Sequence, residues 1–161
     1  MNILVPLLIG WLLMAVVMAL LWEVQRRRKN AGIVDVAWTV GVGLLGIFFA
    51  LWANGLGTRR VLIAAMATLW AIRLARHLVE RISRESEDGR YHQLREKWGE
   101  KTQINLFWFF QLQAFWSVLF AFPMLIAAGN TTGALQVWDL LGILIWLVSV
   151  VGESVADRQL A

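Results

Sequence analysis

The sequence predicts an all-α, multi-spanning transmembrane helical bundle of about five spans, with its N-terminus outside. Three observations predict it. Of the 161 residues, 59% are hydrophobic and 16% charged, whereas an average soluble domain carries about 25% charge. The mean hydropathy is +0.62. Several apolar runs approach or exceed the roughly 20 residues a helix needs to cross a bilayer.

The spans fall at about 2–22, 31–53, 61–79, 105–128 and 137–156, in one transmembrane domain over 1–161. The first, "MNILVPLLIGWLLMAVVMALLW", has no basic residue ahead of its apolar run and is longer than a signal-peptide core, so it reads as a retained span. In the second, Gly41, Gly43 and Gly46 predict one close helix–helix approach. Their stretch "GVGLLG" has the letters of G-x-G-x-x-G, but it lies inside a span with no strand before it, so it is not a dinucleotide loop. The third span has Arg73 and His77, and Arg76 and Glu80, four residues apart on shared faces. It should continue beyond the membrane as a charged helix. In the fourth, Pro123 should produce a kink towards the outer end. The fifth ends with Glu153 and Asp157 on one face.

Between spans three and four, residues 80–102 read as a cytoplasmic loop. Its core, "ESEDGRYHQLREKWGE", opens with a turn and continues as a short amphipathic helix. Tyr91, Leu94 and Trp98 fall at i, i+3 and i+7. That pattern predicts a surface helix on the inner leaflet, anchored by Trp98. Tyr91 and His92 are the loop's proton-transfer candidates, but helical neighbours point about 100° apart and would not share a ligand.

Charge sets the orientation. Thirteen of the fifteen Lys and Arg residues fall in the first loop, between Arg73 and Lys101, or at Arg158. The positive-inside rule turns these segments to the cytoplasm. The net charge of +4 then reflects membrane lipids as partners and not nucleic acid. With no cysteine and two histidines, disulfides, thiolate chemistry and a cysteine-based metal site are excluded and a histidine-rich one is disfavoured. Neither a zinc motif nor a Ser/His/Asp arrangement is present.

Polar side chains inside a membrane are costly, so their positions carry information. Asp35, Arg73, Gln111 and Glu153 lie deep, all in the cytoplasmic halves of their spans; Arg76, His77 and Asp157 lie nearer the ends. The outer halves are nearly clean, with Asp139 at an interface position. This asymmetry predicts a polar cavity open to the cytoplasm. Glu153 and Asp157 repel each other at i, i+4. They call for a basic partner from another helix, a ligand with donor groups, or one raised pKa.

Three stretches together resemble the DUF1295 family, a bacterial branch of the steroid 5-alpha-reductase superfamily. "AGIVDVAWTVGVGLLGI" is similar to its second-span signature. "SEDGRYHQLREKWGE" is similar to its loop G-E-D-x-R-Y-x-x-x-R-x-x-W-G. "WLVSVVGESVADRQLA" is similar to its E-x-x-A-D-x-Q stretch. The resemblance implies a helical membrane enzyme of the bacterial inner membrane. It would use NADPH to reduce a carbon–carbon double bond conjugated to a carbonyl in a lipid-like or steroid-like substrate.

By position, the resemblance makes Tyr91 and Asp35 the catalytic candidates, with Tyr91 as an acid towards the carbonyl. It makes Asp157, Glu153 and Arg90 the cofactor candidates, and Arg73, deep in span three, joins them. Glu153 stands where the steroid reductases' N-x-x-x-D motif has asparagine. Gln111 and Trp38 are the candidates for touching substrate. The family pattern continues past this point into a basic, aromatic segment and two further spans that supply much of the cofactor pocket. Residues 1–161 therefore correspond to its N-terminal part, with weak or absent reductase activity expected from them alone. The alternatives are a lipid methyltransferase of the isoprenylcysteine type, using S-adenosylmethionine, and a non-enzymatic membrane subunit.

Overall fold

A computed structural model describes residues 2–84 and 87–160. Glu85 and Ser86 of the loop and Ala161 of the last motif lie outside the described residues. The chain forms α1 (Leu4–Arg28), α2 (Ile33–Trp52), α3 (Gly57–Arg84), α4 (Gly89–Trp98), a 3-10 turn (Gly99–Lys101), α5 (Thr102–Ala128) and α6 (Val137–Leu160). Five helices are long and apolar enough to cross a membrane. They are α1, α2, α3, α6 and the run containing α5.

The helices are longer than hydropathy alone indicates. α1 continues through "EVQRRR" because Glu23 pairs with Arg26 and Arg27 on the helix surface and the three arginines sit at the negative end of the helix dipole. It stops at Lys29, whose φ of 54° is left-handed and whose N–H donates to the Gln25 carbonyl at 2.8 Å. α3 extends to Arg84, as the i, i+4 charges require. α5 runs unbroken through Pro123.

Successive spans alternate in direction, so the α1–α2 turn, α4 and the late turns of α3 and α6 share one end of the bundle. α2 is central, packed on α1, α3 and α5. Its glycines make two approaches where the sequence predicted one. A Cβ on Gly43 would lie 2.5 Å from the Ala71 Cβ, and one on Gly46 would lie 2.7 Å from the Ala67 Cβ; both face α3. Gly41 faces Met14 of α1. Residues 41 and 43 point about 200° apart on a helix, which separates the two contacts.

At the opposite end, Arg59 is 2% exposed and ties down the α5–α6 connection. Its Nε and Nη2 each donate to Asp139 at 2.7 Å, and it also donates to the carbonyls of Asn130 and Ala134 at 3.0 Å. Asp139 is thus the partner of a buried arginine.

α6 is held differently from the rest. Among the described residues it packs closely on α3 alone, and none of its apolar window is buried.

Candidate functional site

The end of the bundle that carries α4 collects the polar side chains in two groups. The first is built on Asp35 in the opening turn of α2. Asp88 caps α4 by accepting from the Arg90 N–H at 2.9 Å, and the capped helix turns Tyr91 inward. The Tyr91 hydroxyl donates to Asp35 Oδ1 at 2.9 Å. Arg90 donates through Nη2 to Asp35 Oδ2 at 3.1 Å and to Asp88 Oδ2 at 2.9 Å. Arg81 of α3 reaches Asp88 at 3.0 Å. The hydrogen bond from the Arg90 side chain holds the Asp88 carboxyl below the usual carboxylate range.

Tyr91 is only 2% exposed, and its ring meets Phe109 edge-on at 6.0 Å. Leu94 and Trp98 pack against the same core. This corrects the expected surface helix: the stripe faces the bundle and not the leaflet. His92 points away and lies 3.4 Å from Glu96.

A brace beside this group was missed in the sequence. Arg95 forms a forked pair with Glu87, with Nε 2.9 Å from Oε2 and Nη2 3.1 Å from Oε1. Glu87 also accepts from the Ala31 N–H at 2.8 Å. Gln25, fully buried, accepts from Arg95 at 3.0 Å and donates to Gln103 at 2.8 Å. The available signal was Gln25 itself, an uncharged polar residue beside a basic run. Gln25 lies in the part of α1 that runs six residues beyond the span hydropathy marks.

The second group joins α3 to α6. Arg73 donates to Glu153 Oε2 at 3.0 Å and to the Ser154 hydroxyl at 3.1 Å, and its other nitrogen binds Asp157. His77 Nε2 lies 3.8 Å from Asp157. Arg73 is the basic partner that the two carboxylates call for. A polar groove of about 540 Å³ opens here, lined by Arg73, Arg76, His77, Glu80, Asp157 and Arg158.

A second groove of about 540 Å³, open and apolar, is lined by residues of α2, α3, α5 and α6, with the Arg73–Glu153 pair standing between the two grooves. Trp70, Phe120, Met124 and Trp146 form much of its wall, and Glu153 is its one ionisable lining residue. Glu153 and Asp157, one helical turn apart, therefore face different grooves while sharing Arg73.

Trp38 stands behind the apolar wall, edge-on to Trp70 at 6.2 Å and to Phe120 at 5.3 Å. Its indole N–H is buried without an acceptor among the described residues. Gln111 lies apart from both groups and donates to the Ala15 carbonyl of α1 at 3.3 Å. The structure thus brings Asp35, Arg90 and Tyr91 together, and Arg73, Glu153 and Asp157 together, as two separate sets.

Comparison with known proteins bears on these residues. An uncharacterized protein of Schizosaccharomyces pombe is 30% identical over 167 residues, covering 96% of this chain and 47% of that protein. The chain thus spans about half that relative's length. No solved structure matches. The family model described as "Protein of unknown function (DUF1295)" matches residues 21–161. Asp35, Arg90, Tyr91, Glu153 and Asp157 all fall inside that match, and the chain belongs to the DUF1295 family.

Proposed function

We propose that the α3–α6 face is the working site of a membrane oxidoreductase that uses NADPH to reduce a carbon–carbon double bond conjugated to a carbonyl in a lipid-like substrate. One observation carries the reading: a polar, arginine-lined groove and an apolar groove adjoin at the Arg73–Glu153 pair. Both volumes lie in the range of small-molecule sites. The end bearing α4 faces the cytoplasm, where the basic residues favour it, and the bacterial inner membrane is the location the resemblance implies.

The donor set of the polar groove suits a dinucleotide. Arg76, Arg158 and His77 match phosphate oxygens, and Asp157 can accept from a ribose hydroxyl. Bound there, NADPH would supply the hydride for the β carbon of the enone. Arg73 sits where the substrate carbonyl would arrive from the apolar groove, and its fixed positive charge opposes the negative charge developing on that oxygen. His77, one turn along α3, is the side-chain type suited to hand a proton to the α carbon. In this reading Tyr91 is a positioning residue: its proton is directed at Asp35, and it fixes the loop that carries Arg90.

The test is NADPH oxidation with enone lipids, by this chain and by the chain extended with the C-terminal half of a family member. The extended protein should turn over and its Arg73→Ala variant should lose most activity. An extended protein that is inactive, or indifferent to that substitution, would sink the reading.

A further inference from the structure

We infer that a groove on the lipid-facing side of α2 and α3 binds one membrane phospholipid with a primary-amine head, a phosphatidylethanolamine, from the leaflet on the α4 side. Arg76 takes its phosphate and Glu80 takes its ammonium. The site lies apart from the α5–α6 groove, and its occupancy does not rest on the reductase reading.

This third groove has a volume of about 510 Å³. The small side chains of Ala71 and Ala75 leave the space, and Val40, Leu44 and Ile72 wall it. Its one hydroxyl, on Thr68, donates to the Ala64 carbonyl at 2.7 Å. From Thr68 to Glu80 the α3 side runs about 18 Å at about 1.5 Å per residue. That is slightly more than one leaflet of a hydrocarbon core about 30 Å thick.

Two charges stand at the groove's α4-side mouth, Arg76 and Glu80. They lie four residues apart on α3, with arginine ahead of glutamate, the weaker order for such a pair. Neither side chain makes an ion pair or a hydrogen bond among the described residues. Both are exposed. At this level of a spanning helix that means exposure to lipid and its head groups, where an unpaired charge is costly.

The order along the helix decides the ligand. Gly43 lies against Ala71 and Gly46 against Ala67. This antiparallel register puts Arg76 level with Trp38, more than one turn inside α2, and Glu80 level with Val34 in the first turn. From the bilayer outward the groove therefore presents apolar walls, then a cation, then an anion. Phosphatidylethanolamine presents an acyl chain, then a phosphate, then an ammonium. Four residues of helix separate the two charges by about 6 Å, within reach of adjacent phosphate and amine for two long side chains. Arginine matches phosphate oxygens, and the carboxylate accepts from the ammonium N–H. Phosphatidylglycerol offers Glu80 no cation, and phosphatidylcholine offers it no N–H. Arg76 also borders the polar groove. On the dinucleotide reading, the lipid and NADPH compete there for its guanidinium.

The experiment uses the full chain in phosphatidylcholine nanodiscs doped with a phospholipid that carries a diazirine in its acyl chain and an ethanolamine, glycerol or choline head. Labelled residues are mapped by mass spectrometry. The ethanolamine probe should label Val40, Leu44 and Ile72 about two- to five-fold more than either other probe, the upper scale of an exposed ion pair. The apolar groove between α1 and α5 has no charged lining residue and should label equally with all three heads. Glu80→Gln should bring the ethanolamine and glycerol probes level. Arg76→Glu repels any phosphate and should lower labelling by all three. Ala75→Leu narrows the groove without touching either charge, and should lower all labelling with the ratios intact. It keeps the test decisive where a charge variant fails to fold. Equal labelling by the three heads in the unaltered chain, the same preference in the α1–α5 groove, or a ratio indifferent to Glu80→Gln would overturn the inference. In the chain extended with a family C-terminal half, NADPH should lower the ethanolamine label; an unmoved label beside NADPH turnover overturns the competition at Arg76. Failed turnover with an intact head preference overturns the reductase reading alone, and a lost preference with intact turnover overturns this one alone.

Discussion

Tyr91 gives its hydroxyl hydrogen bond to Asp35 across 2.9 Å, joining residues 56 positions apart and locking α4 onto the start of α2. Tyr91→Phe keeps the ring against Phe109 and removes only this bond. Because the acceptor is a carboxylate in a buried setting, the loss should cost about 1.5–3 kcal/mol. Thermal unfolding in detergent would measure it. The Tyr91→Phe and Asp35→Asn effects should be strongly non-additive, and simple addition would show the pair uncoupled.

Arg73 ties the late turns of α6 to α3, as Arg59 ties its first turn through Asp139. Arg73→Ala removes its bonds to Glu153, Ser154 and Asp157 and leaves two carboxylates facing each other. Hydrogen exchange over 137–160 should rise while α2 and α5 stay protected. Lysine should restore little, because it lacks the fork that binds both acids at once. Unchanged exchange in α6 would show that apolar packing on α3 suffices.

Arg59→Ala should be among the most damaging changes in the chain. It strands Asp139 and frees the carbonyls of Asn130 and Ala134. Removing one partner leaves the other charge without its fork of hydrogen bonds. Unfolding midpoints of Arg59→Ala, Asp139→Ala and the double variant would check it. The double variant should be less unstable than the sum of the two singles.

Gly43→Ala should destabilise by about 1–3 kcal/mol, since the new methyl meets Ala71 at 2.5 Å between two packed helices. Gly57→Ala, with nothing within 4 Å of the added carbon, is the control. Equal stability of the two variants would mean that α2 and α3 separate at no cost.

Acid should release α4. Asp88 has a folded pKa below its unfolded value, so its contribution is complete above the unfolded value of about 3.9 and disappears as pH falls through the folded one. Limited proteolysis between α3 and α4 should accelerate over that acid window. Asp88→Asn should flatten the pH dependence and leave cleavage higher at neutral pH.

The sequence by itself determined the spans and their order. Hydropathy, the cost of polar groups in lipid and the 3.6-residue period are local properties, and "VGVGLLG" announces close packing wherever its neighbours lie. It also showed that Glu153 and Asp157, like charges one turn apart, need a basic partner, a ligand with donor groups or one raised pKa. Tertiary structure decided for the basic partner, Arg73. Arg73 lies 80 residues from Glu153, and the pairing depends on which face of α3 meets which face of α6. The same holds for Arg59 with Asp139, for Arg95 with Gln25, and for the stripe of Tyr91, Leu94 and Trp98. An amphipathic stripe records that one face avoids water, but lipid and a protein core satisfy it equally. Only the abutting helices distinguish them. Here the cap at Asp88 and the carboxylate of Asp35 draw that stripe into the bundle.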